Sequence, residues 1–281
     1  MRRVTAFCLA LPAIFIVILF AVVLASFVSV SLLHVDPGGA VFHGPPNLRN
    51  YTRLLGSTDA WRSIANTVRL SALVTVICAV LGFPLARLLA RAHSPTTRRA
   101  ILFCLIAAVF SGGVTRAYAW LILLGNHGLI NQGLQAIGLP HAALVNNETG
   151  VAIAMLNFVL PFFVLTLFGA LRTIPAALEN AARNLGASRR RTFLHVTLPL
   201  SIPGIAASSF LCFALSLGAF LFPEILGGGR VQVMATAIYD RIQTSYDIPA
   251  AAALAVIFLM LMLSLLAVLG AARRLVGRTV A

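Results

Sequence analysis

A polar segment between two long apolar segments carries the residue types and spacings that point most directly to a function. It runs from Glu179 to Ser188 and is followed by the sequence Val-Thr-Leu-Pro at residues 196–199. The segment bears arginines and amides and has the marks of two short helices. Such residues suit noncovalent docking onto another protein, which indicates a membrane subunit driven by a separate soluble partner.

Two short helices are expected around a glycine in this segment. Pro175 suits the first turn of a helix, and Gly186 suits the left-handed position just past a helix end. Ser188 can cap a second helix that runs towards Pro199. The apolar residues of the first helix recur at i, i+3, i+4 and i+7, which places them on one face: Leu178, Ala181, Ala182 and Leu185. The sequence therefore predicts a helix–glycine–helix elbow.

The apolar stripe of the elbow has two interpretations. It either packs on the chain's own helical bundle or fits a groove on another protein. Glu179 and Arg183 are four residues apart, and such an exposed helical pair contributes only a few tenths of a kcal/mol. His195 is expected to be a surface residue of the elbow.

The composition defines the class of protein. Of the 281 residues, 60% are hydrophobic and 10% are charged, whereas soluble domains carry about 25% charged residues. All 21 basic residues are arginine, so the chain lacks the lysine of a phosphate-binding P-loop. The net charge of +14 follows membrane topology rather than indicating nucleic-acid binding. The cysteines lie in apolar runs without metal-ligand spacing: Cys8, Cys78, Cys104 and Cys212.

The expected fold is an all-α membrane protein of six transmembrane helices, each long enough to cross a hydrocarbon core of about 30 Å. The chain shows no soluble domain boundary, so we expect a single transmembrane domain over residues 1–281. The predicted spans are about 6–33, 63–89, 100–124, 150–171, 202–226 and 249–271.

The arginines give these spans an orientation. Most of them precede the first span, bracket the second connection, lie in the 172–199 segment or end the chain. The positive-inside rule therefore places both termini and the 172–199 loop in the cytoplasm. Glu179 is then the sole cytoplasmic carboxylate predicted.

A few polar residues fall within or at the ends of the spans. Arg69 and Arg116 either reach the headgroups or pair with Glu224 or Asp240 as an outer gate. Glu224 is alternatively a group that attracts a cationic solute, and a helix break is expected beside it at Pro223 and the following glycines. Three further residues line either a pathway or a helix interface: Asn157, Ser208 and Ser216.

The 172–199 loop resembles the Glu-Ala-Ala loop of permease subunits in binding-protein-dependent ABC importers. In that pattern a glycine is followed by nine residues and then by Ile-x-Leu-Pro, and here Gly186 is followed by nine residues and then by Val-Thr-Leu-Pro. The family's glutamate position holds Asn180, and Glu179 lies one residue earlier. Further phrases are similar to spermidine/putrescine-type permeases: residues 47–51, 116–120, 128–131 and 223–228.

The resemblance implies the type I importer permease fold (MetI-like) in the bacterial inner membrane. It implies a dimer of ABC ATPases, a second permease subunit in a heterodimer and an extracytoplasmic solute-binding protein as partners. It also implies that this chain has no catalytic residue, metal or cofactor, with ATP bound by the partner. The residues that the resemblance and the stripe assign to ATPase coupling are Leu178, Glu179, Asn180, Ala181, Ala182, Leu185, Gly186, Leu198 and Pro199.

The resemblance leaves the solute open. A polyamine is expected, and the alternatives are iron, an opine, aminoethylphosphonate or an amino-acid-like solute. A stand-alone secondary carrier is a further alternative, but the sequence shows no inverted repeat. A channel would need a filter or charged ring, and none is visible.

Overall fold

The computed structural model describes residues 2–35, 42–43, 45–92 and 94–279. Its helices are α1 (Arg2–Ser31), α2 (Arg49–Leu55), α3 (Thr58–Arg91), α4 (Pro95–Phe110), α5 (Gly113–Leu124), α6 (Leu129–Ala136), α7 (Glu148–Arg172), α8 (Ala176–Asn184), α9 (Arg189–Thr192), α10 (Leu198–Leu217), α11 (Leu221–Gly227), α12 (Met234–Gln243) and α13 (Ile248–Thr279). A π-helical turn (Phe193–Thr197) joins α9 to α10. Two short strands, β1 (His34–Val35) and β2 (Phe42–His43), pair antiparallel.

Five helical stretches in the described residues are long and apolar enough to cross a membrane. They are Ile14–Ser31, Thr58–Arg91, Glu148–Arg172, Arg189–Leu217 and Ile248–Val268. A sixth span is obtained if the bent pair Pro95–Phe110 and Gly113–Ala136 crosses as one unit. The all-α membrane fold predicted from composition is thus confirmed, with five to six candidate spans.

The third predicted span is not one helix. The stretch expected over 100–124 bends by 100° between α4 and α5. Ser111 and Gly112 have extended backbone angles, with ψ of 130° and 136°. The Ser-Gly-Gly sequence at residues 111–113 explains the break, because glycine disfavours a helix interior and serine competes for backbone hydrogen bonds.

The fifth span also differs from the prediction of 202–226. The helix begins upstream, at Arg189, and ends at Leu217 with Gly218 as its C-cap. Pro223 lies inside α11, so the helix break falls before this proline and not at it. The break predicted at the glycines is confirmed, because α11 ends at a left-handed Gly228 with φ of +51°.

The described residues form two compact units. The first comprises Met1–Ile64 and Met234–Leu261. Its core packs Leu54 of α2 and Ala60 of α3 against Met234, Ala253 and Leu254. The side-chain amide of Asn50 also fastens α2 to the end of α1 by donating to the carbonyl oxygens of Ser31 and Leu33, at 2.9 and 2.8 Å.

The second unit comprises Ala65–Val233 and Met262–Ala281. Its most extensively buried helix is α7, which packs against α4, α5, α10 and α11. A Cβ atom at Gly204 of α10 would lie 2.7 Å from the Cβ of Ala170. A small residue is therefore needed where α10 and α7 approach each other. That residues 1–281 form a single domain stays a prediction.

Candidate functional site

The first helix of the elbow is α8, and its C-terminal end forms as the sequence predicts. Pro175, expected in the first turn, is instead the N-cap residue immediately before the helix. Gly186 has φ of +85°, and its N–H donates to the carbonyl of Arg183 while that of Ala187 donates to the carbonyl of Ala182. These two bonds form a Schellman motif, which satisfies the last carbonyls of a helix and requires the left-handed residue.

The second limb of the elbow continues directly into a membrane span. Ser188 caps α9 by accepting a hydrogen bond from the N–H of Arg191 at 3.3 Å, as predicted. The helix does not end near Pro199, because α9, the π-helical turn and α10 follow without interruption. Pro199 lacks an N–H and crowds the carbonyl one turn earlier, which explains why the turn just before it widens to π geometry.

Glu179 faces the inside of the protein. Its side chain is only 5% exposed, and it pairs with Arg91 at the end of α3 at 2.9 Å. The hydroxyl of Thr197 donates to the same carboxylate oxygen at 3.2 Å, and Arg183 lies 3.7 Å from the other oxygen. The interpretation of Glu179 and Arg183 as an exposed helical pair is wrong, because Glu179 is the buried centre of a four-residue cluster.

Arg91 binds the elbow at two points. Besides Glu179, it donates to the backbone carbonyl of Ile174, with distances of 3.3 and 3.4 Å. A buried carboxylate without its cation is strongly disfavoured, so these contacts hold α8 against the end of α3. Local sequence patterns do not indicate Arg91 or Thr197 as partners, because they lie 88 and 18 residues away from Glu179.

The apolar stripe of α8 faces away from the chain. Leu178 is 45% exposed and Leu185 is 89% exposed, while Ala181 is exposed and Ala182 is half-buried. The interpretation that this stripe packs on the chain's own bundle is therefore wrong for both leucines. An exposed apolar stripe on a rigidly held helix is the geometry of a docking surface.

The other elbow residues that the sequence singles out lie elsewhere. Asn180 is exposed and, like Glu179, lines an open cavity. Leu198 and Pro199 are half-buried in the first turn of α10. His195 is exposed, as predicted, and its ring nitrogen Nδ1 contacts the carbonyl of Arg191 at 3.1 Å.

Within the second unit, neither Arg69 nor Arg116 pairs with Glu224. Arg69 pairs with Glu148 at the start of α7. Arg116 donates to the Ser111 hydroxyl, and its guanidinium carbon lies 5.8 Å from the centre of the Phe158 ring. Within the second unit, the predicted pairing of Arg69 or Arg116 with Glu224 as an outer gate is therefore wrong, and pairing with Asp240 of the first unit stays a prediction. The hydrogen bond to Ser111 explains how the charge of Arg116 is tolerated at the α4–α5 bend, because Ser111 is the C-cap residue at which α4 ends.

The small polar residues of the spans divide into two groups. Ser208 and Ser216 of α10 are buried, and Ser208 donates to the carbonyl of Gly204 at 2.9 Å. This burial matches the helix-packing interpretation for both serines. Asn157 of α7 is exposed on the single chain, so it does not serve packing within this chain.

The two acidic residues proposed for the outer gate lie in separate units. Glu224 is half-buried in α11, and Asp240 is half-buried in α12. Across the described ranges, no three His, Cys, Asp or Glu side chains gather where they could hold a metal ion.

Comparisons with known proteins agree with this arrangement. Residues 1–278 match the family described as binding-protein-dependent transport system inner membrane component. The chain is 29% identical to the spermidine/putrescine transport system permease protein PotB of Haemophilus influenzae, over 95% of this chain and 94% of that protein. It is 34% identical to the molybdenum transport system permease protein ModB of Mycobacterium bovis, over 79% and 82% of the two chains.

Solved structures show the same fold. A bacterial ABC transporter involved in the import of the acidic polysaccharide alginate matches with a TM-score of 0.81 and 20% identity, over 97% of this chain and 96% of that chain. The inward-facing MetNI methionine ABC transporter matches with a TM-score of 0.59 and 17% identity, over 82% and 97%. The chain therefore belongs to the family of binding-protein-dependent transport system inner membrane components and is a permease subunit of an ABC importer.

Proposed function

We propose that this permease forms half of the pathway of a polyamine importer and receives the motion of a separate ATPase through the 172–199 elbow. The exposed stripe of Leu178 and Leu185 on a helix fixed by the Glu179–Arg91 pair is the observation that supports the coupling role. ATP is bound and hydrolysed by a dimer of the partner ATPase. A second permease subunit in a heterodimer completes the pathway, and an extracytoplasmic binding protein delivers the solute.

Spermidine and putrescine are the solutes that the relatives favour. The PotB proteins of Haemophilus influenzae and Escherichia coli match over 95% and 83% of this chain, and both are named for spermidine/putrescine transport. Glu224 supports a cationic solute, because a carboxylate in a membrane segment attracts positive charge and usually faces a cavity. Arg69, Arg116, Asn157 and Asp240 stay candidates for the pathway or its ends.

Reconstituted uptake tests the solute. The chain is assembled in proteoliposomes with its ATPase, second permease subunit and binding protein, and ATP-dependent uptake of labelled putrescine and spermidine is measured. We expect uptake that Glu224→Gln lowers several-fold and that Glu224→Asp, which keeps the charge, retains. Uptake that is indifferent to both substitutions would remove Glu224 from the pathway.

A molybdenum-containing anion is the second candidate solute. The relative named for molybdenum transport is 34% identical, and the buried guanidinium of Arg116 would suit an anion. Molybdate uptake in the same vesicles, without polyamine uptake, would decide for this candidate.

Orientation is part of the proposal, since the arginine distribution supports a cytoplasmic elbow and cytoplasmic termini. A single cysteine at Ser188, in a chain whose own four cysteines are replaced by alanine, is labelled with a membrane-impermeant maleimide. We expect labelling in inverted vesicles and not in intact cells. Labelling in intact cells would contradict the orientation.

A further inference from the structure

An open cavity of about 920 Å³ lies between the end of α3 and the elbow. Its walls come from the last turns of α3 and the following Ala92, and from α8, α9 and the first residue of the π-helical turn. Apolar side chains, among them Phe83, Leu88 and Phe193, line it together with charged ones. The cavity is therefore part apolar and part charged, and it opens beside a membrane-spanning helix.

The charge of this cavity is strongly positive. Four arginines line it against one carboxylate: Arg87, Arg91, Arg183 and Arg189 against Glu179. Arg91 and Arg183 already pair with that carboxylate. Within the described part of the chain, Arg87 forms no hydrogen bond or ion pair and lies 4.7 Å above the ring of Phe193. The cavity thus holds an excess of guanidinium groups with no anion to match them.

A hydroxyl in the cavity wall is also without a partner. The Thr192 Oγ1 atom is buried and makes no hydrogen bond among the described residues, although Thr192 lines the cavity. A buried hydroxyl without an acceptor is disfavoured. An oxygen-rich anion next to Arg87 and Arg189 would supply that acceptor.

An exposed apolar strip of α3 leads to the cavity. Leu73, Val76 and Val80 are 49%, 61% and 67% exposed. Their spacings of three and four residues, and the seven from Val80 to Arg87, keep them on one face of the helix. Val80 is about 10 Å from Arg87 along the helix axis. A hydrocarbon chain lying on this strip would therefore place its polar end at the cavity.

The length of α3 agrees with such a position. Arg69 and Arg87 are separated by about 27 Å along the helix, and a hydrocarbon core is about 30 Å thick. With the backbone of Arg69 at one surface of the hydrocarbon core, that of Arg87 lies within about 3 Å of the other surface, so its long side chain reaches the headgroups. Arginines at that depth meet phosphate groups of lipids directly.

The docking stripe and the cavity occupy opposite faces of α8. The exposed members of the stripe are Leu178, Ala181 and Leu185, whereas the α8 residues that line the cavity are Ala176, Glu179, Asn180 and Arg183. At 3.6 residues per turn, the centres of the two sets are about 180° apart. An ATPase bound to the stripe therefore leaves the cavity to an occupant that approaches from the membrane.

From these observations we infer that the cavity binds the headgroup of an anionic phospholipid, with an acyl chain along the Leu73–Val80 face of α3. The phosphate accepts hydrogen bonds from Arg87 and Arg189 and from the Thr192 hydroxyl. The lipid fills the space between the membrane surface and the elbow. The site is independent of the solute that is transported.

Lipid retention tests this site in the assembled transporter. The complex of this chain with its partner subunits is placed in nanodiscs of phosphatidylcholine and phosphatidylglycerol in equal amounts. It is then extracted into mild detergent, and the retained lipids are counted by native mass spectrometry. We expect retained phosphatidylglycerol to exceed phosphatidylcholine at least tenfold. We expect Arg87→Gln and Arg189→Gln each to lower that ratio about fivefold, the equivalent of about 1 kcal/mol per basic side chain near anionic lipid.

Arg190→Gln is the matched control, because Arg190 is an exposed neighbour with the same charge that does not line the cavity. We expect it to leave the ratio unchanged. Equal retention of the two lipids, or an equal loss with Arg190→Gln, would overturn the site. So would displacement by glycerol 3-phosphate at the same concentration as the lipid, which would indicate a free-anion site. Retention that appears only after the ATPase is removed would show that the ATPase fills the cavity.

Discussion

Helix α3 carries an Arg–Glu pair near each end of its membrane span, and the two pairs differ in their surroundings. Arg69 and Glu148 have side chains that are 64% and 48% exposed. Arg91 and Glu179 have side chains that are 26% and 5% exposed. The exposed pair is screened by water and gains little, whereas the buried pair cannot lose one member without stranding a charge.

The two pairs consist of the same residue types but differ in how many structural elements they connect. At the elbow, Glu179 also accepts from Thr197, and Arg91 also donates to Ile174. The buried pair therefore joins α3, α8 and the π-helical turn into one body. The exposed pair links only the side chains of α3 and α7.

Removal of the buried carboxylate should have the largest effect. Glu179→Ala leaves Arg91 without its anion, and breaking a buried pair costs about 3 kcal/mol or more. We expect α8 to open locally, with amide hydrogen exchange of residues 176–184 faster on the order of 100-fold. Glu179→Gln keeps the hydrogen-bond acceptor and should give a smaller increase. Unchanged hydrogen exchange in Glu179→Ala would mean that the Glu179–Arg91 pair does not hold the elbow in place.

A charge on the outer face of α8 tests docking without touching the buried pair. Burial of a leucine in a groove contributes about 1.5–3 kcal/mol, so Leu178→Asp should weaken ATPase association roughly 10- to 100-fold, measured by co-purification. Hydrogen exchange of α8 should stay as in the unmodified chain. Asn180→Ala, on the cavity side, is the control and should co-purify normally. Full recovery of the ATPase with Leu178→Asp would show that the stripe faces elsewhere.

The shape of the elbow can be altered without removing either contact. A Cβ atom at Gly186 would meet nothing within 4 Å, so Gly186→Val acts only through the φ of +85°. Left-handed backbone costs a residue with a side chain about 1–2 kcal/mol. We expect transport per ATP hydrolysed to fall several-fold in proteoliposomes, while Gly186→Asn, which tolerates this conformation, stays nearer to the unmodified chain. Equal coupling in the unmodified chain and in both variants would show that the Glu179–Arg91 pair alone determines the shape of the elbow.

The exposed pair should matter least. Arg69→Gln and Glu148→Gln, singly or together, should change the free energy of unfolding by about 0–1 kcal/mol. The measurement is thermal unfolding in detergent at low and high salt, and any small effect should fade at high salt. A loss as large as that of Glu179→Ala would remove the distinction between the two ends of α3.

Local features of the elbow were predictable because each depends on neighbouring residues. The left-handed Gly186, the capping by Ser188 and the one-sided stripe of Leu178 and Leu185 follow from backbone sterics and helical periodicity. The class of protein was predictable from composition, and the family from residue phrases spread over most of the chain.

Contacts between distant segments were not predictable from local patterns. The i, i+4 spacing of Glu179 and Arg183 suggested a surface pair, and only the packing of α3 beside α8 shows that Arg91 is the closer partner. The pairing of Arg69 with Glu148 likewise depends on the placement of α7. The bend after Phe110 lies within an apolar run, where hydropathy alone cannot separate one long helix from two.

The geometry of the π-helical turn at Phe193–Thr197 determines how the fifth span is rotated about its own axis relative to the elbow. The stretch from Arg189 to Leu217 is one continuous helix, about 43 Å long. A π bulge accommodates one more residue than an α-helical turn, and each residue corresponds to about 100° of rotation. Conversion of this turn to α geometry would therefore rotate Ser208 and Ser216 by about 100°, slightly more than a quarter of a revolution, relative to the elbow.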